Sequence, residues 1–313
     1  MRELIKQAFK SSIFEKQTIQ MIYRKTILLA ITELFGRNIS AIDFQKILFL
    51  FSQEQKETRF DFVPYKYGCF SFQSLADKNS LVKEGYLKNH KNWKLESESN
   101  HFISYLNELD RKLLNKINSK FCKMTTNELI RYVYINYPFF AINSEIAKDC
   151  LSKKELEVIK RLKAKEDRKI LFTIGYEGKT IDEYLCSLVK NNIKVLCDVR
   201  KNPQSRKYGF SKKTLSNACN SLNINYIHIP ELGIEGEKRK KLKSSSDYDK
   251  LFSEYEVLTL QNQIAPINII LKYLRDYQRV ALTCFELHPL QCHRTRIANS
   301  IHKLVPDVPI KHL

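Results

Sequence analysis

The stretch Thr283–Ile297, TCFELHPLQCHRTRI, decides how this chain is read. It follows an apolar run, Val280-Ala281-Leu282, that reads as a buried strand ending at Cys284. A loop carrying Glu286 and His288 comes next. Cys292-His293-Arg294 then opens a segment with helical spacing at Ile297, Ile301 and Leu304. A thiol, an imidazole and a guanidinium therefore stand where a strand hands over to a helix N-terminus. In α/β proteins such junctions hold ligands, because strand ends leave a crevice and the helix offers unpaired N–H groups.

Outward from that stretch, the second half alternates strand and helix. Ile170–Ile174 reads as a strand ending in Gly175-Tyr176-Glu177-Gly178, with Thr180 and Glu183 capping the next helix. Val195–Val199 is a second strand, ending in Arg200, and Ile224–Ile229 is a third, ending in Pro230-Glu231-Leu232-Gly233. Ser211 is placed to cap a helix reaching Leu222. Helices near Leu251–Leu258 and Ile267–Leu274 precede the Val280 strand, and a last strand is expected near Val308–Ile310. This order implies βαβ units and a Rossmann-like, mostly parallel sheet flanked by helices, so the fold class is α/β.

The first half reads as helical. Ile27, Leu28, Ile31 and Leu34 share one face of a helix that continues a helical pattern over residues 1–20. Ser40 with Asp43 introduces an Ile-, Leu- and Phe-rich helix. An aromatic turn around Lys66-Tyr67-Gly68, a further helix through Leu75 and Leu81, and a short hairpin near His90–Trp93 follow. That order is winged-helix-like. Helices are expected over Asn107–Asn118 and Thr126–Tyr137, and a capping box at Ser152 and Glu155 starts another. The expected domains are 1–150, helical, for binding a partner or nucleic acid; 151–168, a connector helix; and 169–313, the α/β domain with the site.

Composition bounds the function. The 313 residues are 43% hydrophobic and 28% charged, which describes a folded chain. Lys and Arg outnumber Asp and Glu by 53 to 34, a net +19 that favours polyanions such as nucleic acid or nucleotides. No run has signal-peptide or membrane-span character, so a cytoplasmic protein with no membrane partner is expected. The eight cysteines are then reduced thiols, with Cys122, Cys150, Cys186 and Cys219 read as small buried hydrophobes on helices.

Two resemblances add to this. Tyr23 to Leu87, through QKILFLF, KYGCFS and LVKEGYL, resembles the Panacea-type (SocA-like) domain of antitoxins and phage-linked proteins. That likeness implies a partner-binding or regulatory module and a role in antiviral (phage) defence or mobile-element conflict. TIGYEG, CDVRKNPQSRKYGFSK, YIHIPELG and ALTCFE with CHRTRIA are similar, in order, to the family called domain of unknown function 488, from about Leu171 to the chain end. Its motif positions here are Gly175, Glu177, Asp198, Arg200, Pro203, Ser205, Arg206, Gly209, Phe210, Glu231, Leu232, Gly233, Cys284, Glu286, Cys292, His293 and Arg294. TIGYEG, where other members have TIGHS, puts Glu177 where a hydroxyl residue often stands.

All these residues follow strand ends, so they are expected to converge on one crevice. The catalytic candidates are Glu177, Glu231, Glu286 and Cys292. The substrate-holding candidates are Gly175, Tyr176, Arg200, Arg206, Cys284, His293 and Arg294. Lys207, Lys212, Lys213, Lys238, Arg239, Lys240 and Lys241 are the candidates for holding nucleic acid. Four chemistries fit: a low-pKa Cys292 thiolate with arginines on an anion; carboxylate acid/base work on a nucleotide; a zinc site of Cys284, His288, Cys292 and His293; or a non-catalytic sensor pocket. The leading expectation is a hydrolase or transferase acting on a nucleotide, nucleic acid or other phosphorylated substrate without a metal or cofactor. The rival is a DNA-binding, adaptor or sensor protein.

Overall fold

The computed structural model describes residues 22–99, 101–163, 168–239 and 245–313, and divides the chain into two compact units, Met1–Leu162 and Lys163–Leu313. The expected helix over 1–20, part of the connector, and Lys240 and Lys241 lie outside the described residues, as does the Arg239 side chain.

The N-terminal unit is mainly helical. Helix α1 covers 22–34 and leads to β1 (Asn38–Ile39) and α2 (Ala41–Glu54). Helix α2 is started by the Ser40 hydroxyl, which accepts from Asp43 N–H at 3.1 Å, and is buried from Phe44 to Ser52. The segment read as an aromatic turn is instead a hairpin, β2 (Val63–Tyr65) against β3 (Gly68–Phe70). Pro64 sits within β2, and Gly68 begins β3 at φ +98°, where only glycine is unstrained.

Helix α3 (Phe72–Lys83) follows, then β4 (Trp93–Lys94), whose partner is β1 in antiparallel pairing. The local hairpin expected near His90 survives only as a single bridge between Leu87 and Leu95. The long-range pairing wins because it lets Trp93 stack on Phe44 of α2, with centroids 3.5 Å apart and planes at 7°. Helices α4 (Glu108–Phe121) and α5 (Thr126–Asn136) pack on α2, and the Thr125–Glu128 capping box of α5 is complete. Short α6 (Ala147–Cys150) and α7 (Lys153–Leu162) end the unit. Cys122 is exposed and Cys150 half-exposed, because both fall at helix ends, so neither is the core residue expected; Cys186 and Cys219 are buried.

The C-terminal unit is a five-stranded, all-parallel sheet flanked by helices. Its chain order is β5 (Ile170–Gly175), α8 (Ile181–Lys190), β6 (Val195–Asp198), α9 (Lys212–Ser221), β7 (Asn225–His228), α10 (Gly236–Arg239), α11 (Ser245–Leu258), α12 (Ile264–Tyr277), β8 (Arg279–Cys284), α13 (His293–Leu304) and β9 (Ile310–His312). The spatial order is β7-β6-β8-β5-β9. Strand β8 is thus inserted between β5 and β6, which makes their carboxyl ends the topological switch point.

All six residues of β8 are buried, as a strand covered on both faces requires. Val280 and Leu282 face a core with Ile270 and Leu274 of α12 and Ile297 and Ile301 of α13. On the other face the Tyr184 hydroxyl of α8 donates to Thr283 Oγ1 at 2.8 Å. Ser211 stands at the start of α9, yet its side chain makes no cap bond. Its hydroxyl donates instead to Ser205 O at 2.9 Å and accepts from Ser205 N–H at 3.2 Å, tying off the loop after β6.

Leu282→Ala should lower stability by about 2–5 kcal/mol, since Leu282 is fully buried in the middle strand. Leu304→Ala, at an exposed side chain at the end of α13, should cost under about 0.5 kcal/mol. Urea unfolding of the two variants checks the difference.

Candidate functional site

The loop from Phe285 to Gln291, between β8 and α13, is held from several directions. Tyr176 and Glu177 both donate their N–H to Phe285 O, at 3.1 and 2.9 Å, and Glu177 Oε2 accepts from Leu287 N–H at 2.9 Å. The Arg294 guanidinium, 1% exposed, donates back to Glu286 O and Leu287 O. Thr295 donates its hydroxyl to Pro289 O. Gly175 has to be glycine because a Cβ there would lie 1.8 Å from Glu286 O. Gly175 therefore serves the close approach of backbone to backbone, and Arg294 anchors the loop.

This clamping turns four side chains toward one another. Cys284 Sγ and Cys292 Sγ each donate to Glu286 Oε2, at 3.1 and 2.9 Å. His293 Nδ1 lies 3.6 Å from Cys284 Sγ and 3.9 Å from Cys292 Sγ. One ligand atom from each of the four falls within 4.8 Å of the others, so this Cys/Glu/His cluster has the composition and spacing to hold a metal ion. Cys284, Cys292 and His293 are buried and Glu286 is half-buried. His288 is exposed at the start of the turn Pro289–Gln291 and takes no part, so Glu286 replaces it in the expected set. Cys292 occupies the N-cap position of α13 with no capping bond from its thiol. Burial, together with Cys284 and Glu286, pushes that thiol well above its ordinary pKa, and the Arg294 charge only partly opposes this. A nucleophilic thiolate at neutral pH needs the opposite shift.

Arg200 is 6% exposed and belongs to a second, internal network. It donates to both oxygens of Asp198, to the Tyr176 hydroxyl at 3.0 Å and to Phe210 O at 2.9 Å. Tyr226 donates to Asp198 as well, at 2.6 Å. Burial works against the Arg200 cation, but the bonds and charge of Asp198 outweigh it and hold the guanidinium charged well above its ordinary pKa. Arg200 is therefore spent on Asp198. Tyr176 is buried, stacked on Phe210 with centroids 4.3 Å apart. Spacing alone signalled this pair weakly: an Asp and an Arg two residues apart, at the end of a buried strand.

The remaining candidates are dispersed. Arg206 is exposed and makes no hydrogen bond or ion pair among the described residues. Lys207 is half-buried, donates to Tyr176 O at 3.1 Å, and has its pKa lowered by burial, with nearby carboxylates opposing. Lys212 Nζ lies 3.2 Å from His228 Nδ1, and Lys213 is exposed. Glu231 is exposed and lines a cavity of about 220 Å³ with Lys201, Lys238 and Tyr255. Of the residues expected in one crevice, Glu177, Cys284, Glu286 and Arg294 meet around the β8–α13 loop, Arg200 is bonded to Asp198, and Arg206 and Glu231 are exposed.

Fold and site together define an α/β unit with a polar constellation at the switch point of a parallel sheet. Residues 180–301 match the family described as Domain of unknown function DUF488. Three of the four motifs lie inside that stretch, and TIGYEG just precedes it. Comparison with curated proteins found no match, and comparison with solved structures found none either. Among the described residues, no helix is long and apolar enough to cross a membrane.

Asp198→Ala should cost about 3–5 kcal/mol, because it leaves the Arg200 cation buried without its counter-charge. Arg206→Ala should stay within about 0.5 kcal/mol of the parent. Denaturant midpoints of the two variants measure this.

Proposed function

We propose that the α/β unit is an enzyme domain, a hydrolase or transferase acting on a nucleotide, a nucleic acid or another phosphorylated substrate at the carboxyl ends of β5, β6 and β8. The observation that carries this reading is the convergence of Glu286 with Cys284, Cys292 and His293 at the switch point. The loop after β6 supports the choice of substrate. From Arg200 to Lys213 it contains no acidic residue, and Lys201, Arg206 and Lys213 are exposed on it. Of the three arginines read as anion-binding, Arg206 is the exposed one, so it takes that role. Glu286 takes the general acid/base role in place of a Cys292 thiolate, with zinc at the cluster as the alternative chemistry. Glu177 supports the loop that carries Glu286.

The partners in this reading are nucleic acid or nucleotide, with Lys213 and Lys238 on exposed surface. In this reading the N-terminal unit takes a protein partner and the chain acts in the cytoplasm in phage defence or mobile-element conflict, which its resemblance to the Panacea-type domain supports. A second reading, a DNA-binding adaptor or sensor, is favoured by the internal engagement of Arg200 and Arg294.

The full-length chain, incubated with a panel of nucleotides and short DNA and RNA, should turn over one class. Glu286→Gln should then slow turnover by about 10²–10⁴-fold. Arg206→Ala should weaken substrate binding about 10-fold, in line with loss of one charge-assisted contact. If no substrate class is turned over, and Glu286→Gln retains both nucleic-acid binding and biological activity, the adaptor reading replaces the enzyme.

A further inference from the structure

We propose that Cys284, Glu286, Cys292 and His293 form a zinc site, with the two thiolates and the imidazole as fixed ligands and Glu286 as the exchangeable fourth. This goes beyond the enzyme reading, since such a site stands whether or not the unit turns over a substrate.

Four of the six separations within the cluster lie near the edge length of a coordination tetrahedron. Zinc–sulfur bonds of about 2.3 Å and zinc–nitrogen or –oxygen bonds of about 2.0–2.2 Å put tetrahedral ligand atoms roughly 3.5 Å apart. The observed separations are 2.9 and 3.1 Å from sulfur to carboxylate, and 3.6 and 3.9 Å from sulfur to imidazole. The imidazole is already oriented. His293 Nε2 lies 2.9 Å from Val199 O, a carbonyl that can only accept, so the proton sits on Nε2 and the lone pair on Nδ1 faces the cluster. An outer hydrogen bond of this kind is what fixes the tautomer of metal-binding histidines.

Hydrogen bonding alone accounts poorly for the arrangement. Two thiols, weak donors both, converge on one carboxylate oxygen, while the Nδ1 acceptor stands within reach of both sulfurs. The donor set selects the ion: two sulfurs and an imidazole in compact tetrahedral spacing favour zinc over the oxygen-seeking magnesium and calcium.

The charges balance as well. Zinc with two thiolates and one carboxylate carries a net charge of about −1 by the ligand protonation states that binding requires. The buried Arg294 guanidinium and the N-terminal end of α13 lie beside it. Each thiol gives its proton to solvent on ligation. Burial separates the roles of the ligands, since Cys284, Cys292 and His293 are enclosed while Glu286 is half-buried. Three enclosed protein ligands and one replaceable position is the pattern of zinc sites that admit a water or a substrate.

The test uses the purified full-length chain and zinc or cobalt alone. Elemental analysis after dialysis should give one zinc per chain, and the cobalt-substituted protein should show a thiolate-to-metal charge-transfer band. Cys284→Ser and Cys292→Ser should each weaken zinc binding by more than about 100-fold, beyond the 10–100-fold that loss of an outer partner costs. Glu286→Gln should keep one zinc with a smaller loss. Folded wild-type protein that takes up no zinc, or cobalt uptake without the charge-transfer band, would overturn the site; neither readout depends on whether the serine variants fold. Retention of zinc by both serine variants would also overturn it. Zinc bound without turnover of any substrate would remove the enzyme reading and leave the site standing.

Discussion

The buried pair between Asp198 and Arg200 is the interaction on which the crevice depends. Asp198 ends β6 and is fully buried, and Arg200, two residues later, folds back onto it. Charges so enclosed are tolerated only where their remaining bonding capacity is satisfied. Tyr226 from β7 serves Asp198, while Tyr176 from the end of β5 and the carbonyl of Phe210 serve Arg200. One ion pair therefore ties together residues of three strands and the loop after β6. His228 adds to this through Nε2, 2.9 Å from Arg200 O. Gly233 lets the next loop close on the same place, since a Cβ there would meet Lys201 N at 2.2 Å.

The β8–α13 loop is bonded to that rim. Its backbone is bonded to Tyr176 and Glu177 on one side and to Arg294 on the other. The thiols of Cys284 and Cys292 then face each other across Glu286, and Val199, just before Arg200, supplies the carbonyl that orients His293. The chemistry of the cluster and the stability of the rim are thus linked through adjacent residues of one strand end. Three of the motif residues that look chemical in isolation, Arg200, Arg294 and Glu177, are bonded to the strand end and loop that hold the cluster.

The sequence by itself determined the local order of the α/β unit. Continuous apolar runs of strand length and capping pairs such as Thr180 with Glu183 act within a few residues, so they are legible in one chain. The strand–loop–helix reading of Thr283–Ile297 and the parallel sheet both rest on such signals. In the N-terminal half the same signals located α2, α3, α4 and α5. They did not locate the β2–β3 hairpin, because Pro64 and Gly68 read as breakers until their pairing partners are known. They also missed the pairing of β4 with β1, which joins residues 54 positions apart, Ile39 with Trp93.

What only the tertiary structure decided is the division of labour among residues that the sequence offered as equals. Glu286 and His288 stand two positions apart on one loop, and only the clamp from Arg294 and the glycine at 175 turns the first inward and leaves the second exposed. Arg200 and Arg206 read alike as anion holders, yet one is enclosed with Asp198 and the other reaches solvent. Residue type sets what a side chain is able to do, and that is written locally. Which partner it meets depends on strand order and loop closure, contacts made across long separations along the chain, and that is where the sequence read alone stops.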